Sequence, residues 1–371
     1  MRLKRVWRNT IVLSSSLILI VFAGFVLVKL IPEPPVEKVE SARKIISQAE
    51  SVNSATYSVR LFTDAKALYD SAMKHWQNEN KRFIYLRDYN KVEVFADSSA
   101  MIAQEAMRTS KINASDLNVK IRIKIDTLTN LVNNFNNLFS SYPLSPDVRT
   151  SVSKGKLLLS ESKIAYNKAD FSQADKKIIE SELLLTRSYE TALENLKDYF
   201  NSFPEWKRWA DKTIRDSRQN KNYSIIIDKY SRKCIVYLSG TKRHEFNIEL
   251  GQNWVGDKRV HGDKATPEGM YKIIRKFGAS RTKYYKALLL DYPNEIDKRE
   301  FRQEISTGTL PKTADIGSLI EIHGEGGRGV DWTEGCIALT NPEMDILYRI
   351  AREGTPVTII GSMIDLDQIL K

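Results

Sequence analysis

Hydrophobic and polar positions change their period twice along the chain. Asn9 to Val28 carries no charge and is mostly apolar. At 1.5 Å per residue, about 20 helical residues span about 30 Å, the thickness of a bilayer core. From Ser41 to about Asp216 the apolar residues recur at helical spacing. Ala42, Ile45, Ile46 and Ala49 share a face, and Ala65, Leu68, Tyr69, Ala72, Met73 and Trp76 make a longer stripe. Ala96, Ala100, Ala103 and Ala106 with Met107 make a third. Leu117, Ile121, Ile125, Leu128, Val132, Phe135 and Phe139 step by four and three, a heptad. Ile121-Arg122-Ile123-Lys124-Ile125 alternates as a strand would, but the longer period overrides it. Gly155 is the only glycine in this stretch, and Tyr142-Pro143-Leu144-Ser145-Pro146 breaks it. Val152 to Ala165 and Ser172 to Leu196 read as two more helices. The likeness between residues 65–72 and 155–162 follows from shared helical pattern rather than from a repeat. These stripes are read as core packing, and His75 beside Trp76 as a packing or surface residue.

Beyond Phe203-Pro204-Glu205-Trp206 the helical region ends, with polar Arg215 to Asn222 as a hinge or the tail of a last helix. Tyr223–Asp228 and Lys233–Leu238 are then β-branched runs around Lys229-Tyr230-Ser231-Arg232, a hairpin signal. Arg243–Leu250, Gly269–Ile274, Leu288–Tyr292, Ser318–Ile322 and Pro356–Ile360 continue the set, which suggests a β-rich sandwich or barrel-like sheet. One helix interrupts it: Thr340 caps, Pro342 suits the first turn, Glu343 completes a capping box and Gly354 ends it. The expected fold class is α+β multidomain: a single transmembrane helix, an all-α bundle or stalk, and a mainly-β domain. The expected segments are a cytoplasmic tail 1–8, an anchor 9–28, a Pro-rich linker 29–40, a helical domain 41–216, a β-rich domain 222–361 and a tail 362–371.

Charge settles the direction of the anchor. Arg2, Lys4, Arg5 and Arg8 precede the apolar run and belong on the cytoplasmic side, so the remainder lies outside. A cleaved signal peptide is the competitor, but the apolar run is long and no small-x-small site precedes Lys29. Ser14, Ser15 and Ser16 are tolerated because their hydroxyls bond back to helix carbonyls, and Pro32, Pro34 and Pro35 form a stiff spacer. The net charge of +11 suits anionic polymers or plain solubility. Its basic residues are scattered and no nucleic-acid motif is present, so no nucleic-acid partner is expected. Of the two cysteines, Cys234 sits in an apolar run and reads as buried; pairing with Cys336 in an oxidising compartment is the alternative. No zinc-type spacing exists, and neither a metal nor a cofactor is expected.

Candidate chemistry concentrates in Ile322-His323-Gly324 and Thr333-Glu334-Gly335-Cys336-Ile337-Ala338-Leu339-Thr340-Asn341, with Glu325-Gly326-Gly327-Arg328-Gly329 between them. A thiol is a nucleophile as thiolate, and an imidazole takes its proton. Gly335 permits a sharp bend that aims backbone N–H groups at an oxyanion. Thr333 would position the loop. A backbone carbonyl or polar side chain would orient His323, with His261 as a weak third-group candidate. The bland alternative is a buried histidine and an inert buried cysteine merely close in sequence.

These residues resemble the catalytic signature of the YkuD-type L,D-transpeptidases: His-Gly, a spacer, then Ser/Thr-x-Gly-Cys. The resemblance covers roughly the last 150 residues and extends to Asp263-Lys264-Ala265-Thr266-Pro267-Glu268-Gly269, Tyr292-Pro293-Asn294, Pro342-Glu343-Met344-Asp345 and Gly354-Thr355-Pro356-Val357-Thr358-Ile359. Two departures are Glu334, where many members have His, and Ala338, where many have Arg. The Thr-x-Gly-Cys-Ile-Ala-Leu-Thr-Asn form resembles a subgroup that includes peptidoglycan hydrolases.

The resemblance implies acyl transfer on peptidoglycan stem peptides through a Cys336 thioester, in cell-wall biogenesis and cell shape. Cys336, His323, Gly335 and Thr333 are the catalytic candidates. Gly324, Arg328, Tyr284, Tyr285 and Glu334 are the substrate-binding candidates, with Arg281 near them and Arg328 in place of the missing arginine. Three readings stay open: a crosslinking or protein-attaching transpeptidase, a hydrolase on the same fold, and a non-enzymatic wall-binding scaffold. Expected partners are stem peptides, a wall-attached protein, and a divisome or elongation partner through the helical domain. The expected location is the bacterial cell membrane, single-pass, with the catalytic domain on the periplasmic side.

Overall fold

The computed structural model describes residues 2–278 and 280–371. Met1, the start of the expected cytoplasmic tail, lies outside the described residues, as do the side chains of Arg2, Lys4, Arg5 and Arg8. Helix α1 (Arg2–Lys29) contains Ile11–Lys29, with a mean hydropathy of 2.8 and none of it buried. It is long and apolar enough to cross a membrane. Ser14 Oγ donates to the Ile11 carbonyl at 3.0 Å, and Ser15 and Ser16 Oγ donate to Val12 at 3.0 and 2.7 Å. Three hydroxyls are thereby satisfied inside the helix itself.

The chain forms two compact units. The first comprises residues 1–127 and 158–180. It contains α2 (Val36–Ser51), α3 (Ser54–Tyr57), α4 (Val59–Asn80), a 3₁₀ turn (Ile84–Leu86), and parts of α5 (Asn90–Phe139), α6 (Pro146–Asn167) and α7 (Phe171–Phe200). Its core is rich in small residues: Val39, Ala42, Ala72, Val92 and Ala96 around Tyr89 in one cluster, Ala49, Ala65, Ala103 and Ala106 around Phe62 in another. Close backbone approach follows, and the buried Ser99 hydroxyl reaches the Ala65 carbonyl at 2.7 Å. The alanine stripe and the heptad, which the sequence shows as successive apolar patterns, lie on one 50-residue helix, α5. The Ile121–Ile125 alternation lies inside it. His75 stacks on Phe95 at 5.3 Å between ring centres.

The second unit comprises residues 128–157 and 181–371. Helix α8 (Phe203–Asn220) runs past Asp216 and packs on the sheet, with Trp206 1% exposed. Phe203-Pro204-Glu205-Trp206 therefore starts a helix rather than closing the helical region, because Pro204 suits a first turn and Trp206 is its core anchor.

The sheet comprises β1 (Tyr223–Asp228), β2 (Lys233–Leu238), β3 (Thr241–Asn247), β4 (Gly269–Phe277), β5 (Ala287–Leu290), β6 (Glu321–His323), β7 (Ile337–Ala338) and β8 (Pro356–Ile360). The spatial order is β3-β2-β1-β8-β4-β5-β6-β7. The pairs β1·β8 and β6·β7 are parallel and the others antiparallel.

Four expectations are corrected. Helix α9 (Glu295–Ser306) is a second helix where one was expected; Asn294 accepts from the Ile296 and Asp297 amides and Asp297 bonds back, a capping box. Helix α10 (Asn341–Ile350) stops four residues before Gly354, which instead turns into β8 at φ +84°. The strand expected from Ser318 starts only at Glu321, because Gly317 and Leu319 both have positive φ. The strand expected to reach Leu250 ends at Asn247, and Glu249 and Gly251 leave to bridge Ala338 and Thr333. Residues 362–371, read as a tail, include a last turn, α11 (Leu366–Ile369).

Buried Lys229 ties the sheet to a loop. Its ammonium donates to the carbonyls of Gly256 and Thr266 at 2.6 and 2.8 Å and to Glu268 at 2.8 Å. Glu268 also accepts from Tyr199 and Trp206, each at 2.8 Å. A buried charge of this kind persists only when every hydrogen-bonding position is filled.

Candidate active site

The segment 257–265 is shaped by one carboxylate. Asp263 accepts the amides of Arg259, Val260 and Ala265 at 2.7, 2.9 and 3.0 Å and pairs with Lys258 at 2.7 Å. The Ala265 carbonyl is thus held against Gly335, where a Cβ would lie 2.6 Å from that oxygen. Gly335 also has φ +125°, so conformation and space both demand glycine one residue before Cys336. Thr333, 2% exposed, donates from Oγ1 to the Cys336 carbonyl at 2.7 Å and accepts from the Gly335 amide at 3.2 Å. The Gly335 N–H is therefore used inside the loop in this conformation, rather than offered to an oxyanion.

Strands β6 and β7 bring the two key side chains to one face. They pair Ile322 with Ile337 and His323 with Ala338. One step back, the Glu321 amide donates to Cys336 Sγ at 3.4 Å. Residues of alternate parity share a face, so Glu321, His323 and Cys336 project together. The thiol faces the Leu319 carbonyl at 3.6 Å. His323 is fully buried, and its Nδ1 lies 2.6 Å from the Gly324 carbonyl. A carbonyl only accepts, so Nδ1 carries the proton and Nε2 presents its lone pair. No hydrogen-bond partner meets Nε2 among the described residues.

Burial pushes the His323 imidazole down to about 4; the Gly324 carbonyl opposes this, while the charges of Lys283 and Arg328 add to it. Burial pushes the Cys336 thiol up to about 11, against the Glu321 amide and the cations Lys283 and Lys258. At neutral pH the resting pair is thiol and neutral imidazole.

The remaining sequence candidates surround these two. The Tyr284 ring stacks on His323 with 3.6 Å between centres and 5° between planes. Tyr285 donates to Asp345 at 3.2 Å, and Gly324 donates from its amide to the Lys286 carbonyl at 3.0 Å. The Arg328 guanidinium lies on the Trp332 ring at 3.4 Å, and Trp332 meets His323 edge-on at 5.8 Å. Glu334 points to solvent and pairs with Lys264 at 3.6 Å. Ala338 is fully buried opposite His323 and is also paired to Glu249, which leaves no room for an arginine. His261 lies beside Gly317, with its amide on the Asp315 carbonyl at 2.6 Å; the group at Nδ1 of His323 is Gly324 instead. Arg281 is exposed. Cys234 is fully buried, its thiol pushed well up by burial, and both cysteines are free thiols.

Sequence reasoning missed five neighbours, Trp332 among them. Lys283 places its ammonium over Tyr284, 4.9 Å from the ring centre. Glu249 gathers the glycine loop, accepting from Gly327 and Gly329 amides at 3.1 and 2.6 Å and from Trp332 Nε1 at 2.7 Å. Asp331 accepts from the Leu250 amide at 2.8 Å and from Arg232 at 2.7 Å. Glu321 was legible only as a strand residue, although its spacing of two from His323 placed both on one face. Among the described residues, no group of three or more His, Cys, Asp or Glu is placed to hold a metal ion.

Residues 222–359 match the model of the L,D-transpeptidase catalytic domain, YkuD. Among solved structures, Bd1075 of Bdellovibrio bacteriovorus aligns at 24% identity and a TM-score of 0.30, covering 38% of this chain and 49% of its own. The helical cell shape determining protein Pgp2 of Campylobacter jejuni aligns at 26% identity and a TM-score of 0.30, covering 40% and 52%. An L,D-transpeptidase of Mycobacterium smegmatis aligns at 12% identity and a TM-score of 0.25, covering 38% and 58%. The aligned part thus spans about half the length of these proteins. No curated protein matches the chain. The segment 222–359 is accordingly a YkuD-type L,D-transpeptidase catalytic domain.

Proposed function

We propose that this domain transfers an acyl group from a peptidoglycan stem peptide through a thioester on Cys336, with His323 as general base and then general acid. The observation that carries the reading is the unpartnered Nε2 lone pair of His323, fixed by the Nδ1–H bond to Gly324, on the same face as Cys336.

The thiol turns from the Leu319 carbonyl toward Nε2 and gives up its proton as sulfur attacks the scissile carbonyl. The C–S bond forms, and the carbonyl oxygen becomes an oxyanion facing the Cys336 amide. Collapse breaks the C–N bond, and imidazolium returns the proton to the leaving amine. An acceptor amine then loses a proton to His323, attacks the thioester and frees the thiol. Lys283 favours the thiolate and disfavours a standing imidazolium, so charge separates only as the reaction proceeds. Tyr284 and Trp332 keep water from the imidazole. Helix α1 would anchor the enzyme in the membrane with this domain on the extracytoplasmic side, where the wall lies.

The test incubates the full chain in detergent with muropeptides, with and without an amine acceptor, and reads products by mass. Acceptor-dependent crosslinks support transfer; shortened stems without crosslinks assign water as the acceptor. Unchanged product formation by Cys336→Ala overturns the thioester.

A further inference from the structure

Helix α5 is apolar on two opposite faces. One face is buried in the first compact unit through Val92, Ala96, Ser99, Ala103, Ala106 and Ser110. On the other, Val94, Met101, Ile112, Val119 and Ile123 are 63, 65, 49, 47 and 58% exposed. At about 100° per residue, these five fall within roughly 20° of one line along the helix. The run from Val94 to Ile123 extends about 43 Å at the helical rise. Scattered exposed apolar residues need no explanation, but a straight stripe of five on a helix already packed on its other side does.

The order of residues along the stripe says what covers it. Val94 and Val119 are equidistant from the midpoint between Ala106 and Met107, as are Met101 and Ile112. The same midpoint lies halfway between Glu105 and Arg108, which flank it with opposite charge. Both are solvent-accessible, their side chains 45% and 69% exposed, and they pair within the helix at 2.6 Å. Four of the five stripe residues thus mirror one another about that point, with Ile123 falling opposite Asn90, and with opposite charges on either side such a stripe is complementary to itself under a two-fold rotation. We infer that α5 is the contact between two copies of this chain, packed antiparallel about that midpoint.

In this pairing Val94 meets Val119 of the second copy, and Met101 meets Ile112. Glu105 meets Arg108, so the intrahelical pair becomes a four-charge cluster of alternating sign. Asp97 and Asp116 also approach, but Asp97 is already neutralised by Lys38 at 2.9 Å. Methionine and valine at the contact suit close antiparallel packing, since neither brings a buried polar atom.

The experiment is sedimentation velocity of the full chain in detergent across a concentration series, with helicity checked by circular dichroism. The wild type is expected to dimerise. Met101→Lys and the charge reversals Glu105→Arg and Arg108→Glu, all on exposed positions, are each expected to weaken the dimer about tenfold or more. Mixing Glu105→Arg with Arg108→Glu, one carrying a mass tag, is expected to recover a dimer containing one of each. A wild type that stays monomeric overturns the inference. So does a dimer that all three variants leave intact, as association through α1 would, and so does a mixture that recovers no mixed dimer.

Discussion

The phenol ring of Tyr284 lies flat on the imidazole of His323, closer than any other aromatic pair described in this chain. The stack keeps solvent from the face of a base whose acidity is already shifted down to about 4 by burial. Tyr284→Ala opens that face, so water stabilises imidazolium and the imidazole moves up toward its ordinary 6.5. In the proposed mechanism activity requires the unprotonated base, so the acidic limb of kcat/KM moves up with it. At pH 5 the variant is expected to lose roughly tenfold relative to wild type, with a smaller loss at pH 8. Tyr284→Phe keeps the ring and should keep the wild-type limb. A pH–rate profile decides it, and an unmoved limb refutes the shielding role.

Alkylation reads the sulfur directly. With the thiol pushed up to about 11, the iodoacetamide rate at Cys336 should climb about tenfold per pH unit through pH 8 to 10, levelling only near 11. Lys283→Glu replaces a cation that favours thiolate with an anion, so the rate at pH 8 should fall several-fold. A Cys336→Ala chain gives the background from Cys234, which is buried and should be nearly inert. A plateau near pH 8.5 would contradict the described environment.

Gly335→Ala and Gly354→Ala separate space from conformation. Both glycines have positive φ, but only the first meets a backbone oxygen, 2.6 Å from the would-be Cβ. Nothing lies within 4 Å at Gly354. Thermal unfolding should show a cost of about 1 kcal/mol at Gly354 and about 3 kcal/mol at Gly335, with activity lost only in the latter. Equal costs would show that the contact with Ala265 relaxes freely.

Asp331 is expected to act through the loop it holds. It fixes Leu250, whose carbonyl in turn receives the Thr333 amide at 3.1 Å, while Arg232 bridges Asp331 to the Ser141 carbonyl. Asp331→Ala should lower kcat about tenfold with little change in KM, because the thiol loop loses its set geometry while the substrate-facing groups remain. A pure KM effect would instead make Asp331 a substrate contact.

The helices were legible because their cores need a period. Ala65, Ala72, Ala96 and Ala103 recur at helical spacing and all four are fully buried. The continuity of α5 was not legible, since Thr109 to Asp116 offers few apolar positions and its helicity rests on the flanking packing. Helix α9 is polar around most of its circumference, and its one sequence signal was the Asn294/Asp297 cap. Trp206 looked like a boundary because proline precedes it, yet it is the residue that seats α8. At the site, His323, Gly335 and Cys336 stood in a local motif. Lys283, Glu249, Asp331 and Trp332 did not, because they come together only through strand pairing and loop closure.

Strand β7 is two residues long and paired on both edges, to β6 on one side and to Glu249 on the other. Cys336, the proposed nucleophile, directly precedes it, with Gly335 wedged against the Ala265 carbonyl behind. Such a mounting has no hinge: only the torsions of the cysteine side chain are free to carry sulfur to its target. In the proposed reaction, turnover then depends on how substrates are delivered and released along the surrounding loops, with the sulfur's own backbone as a stationary post.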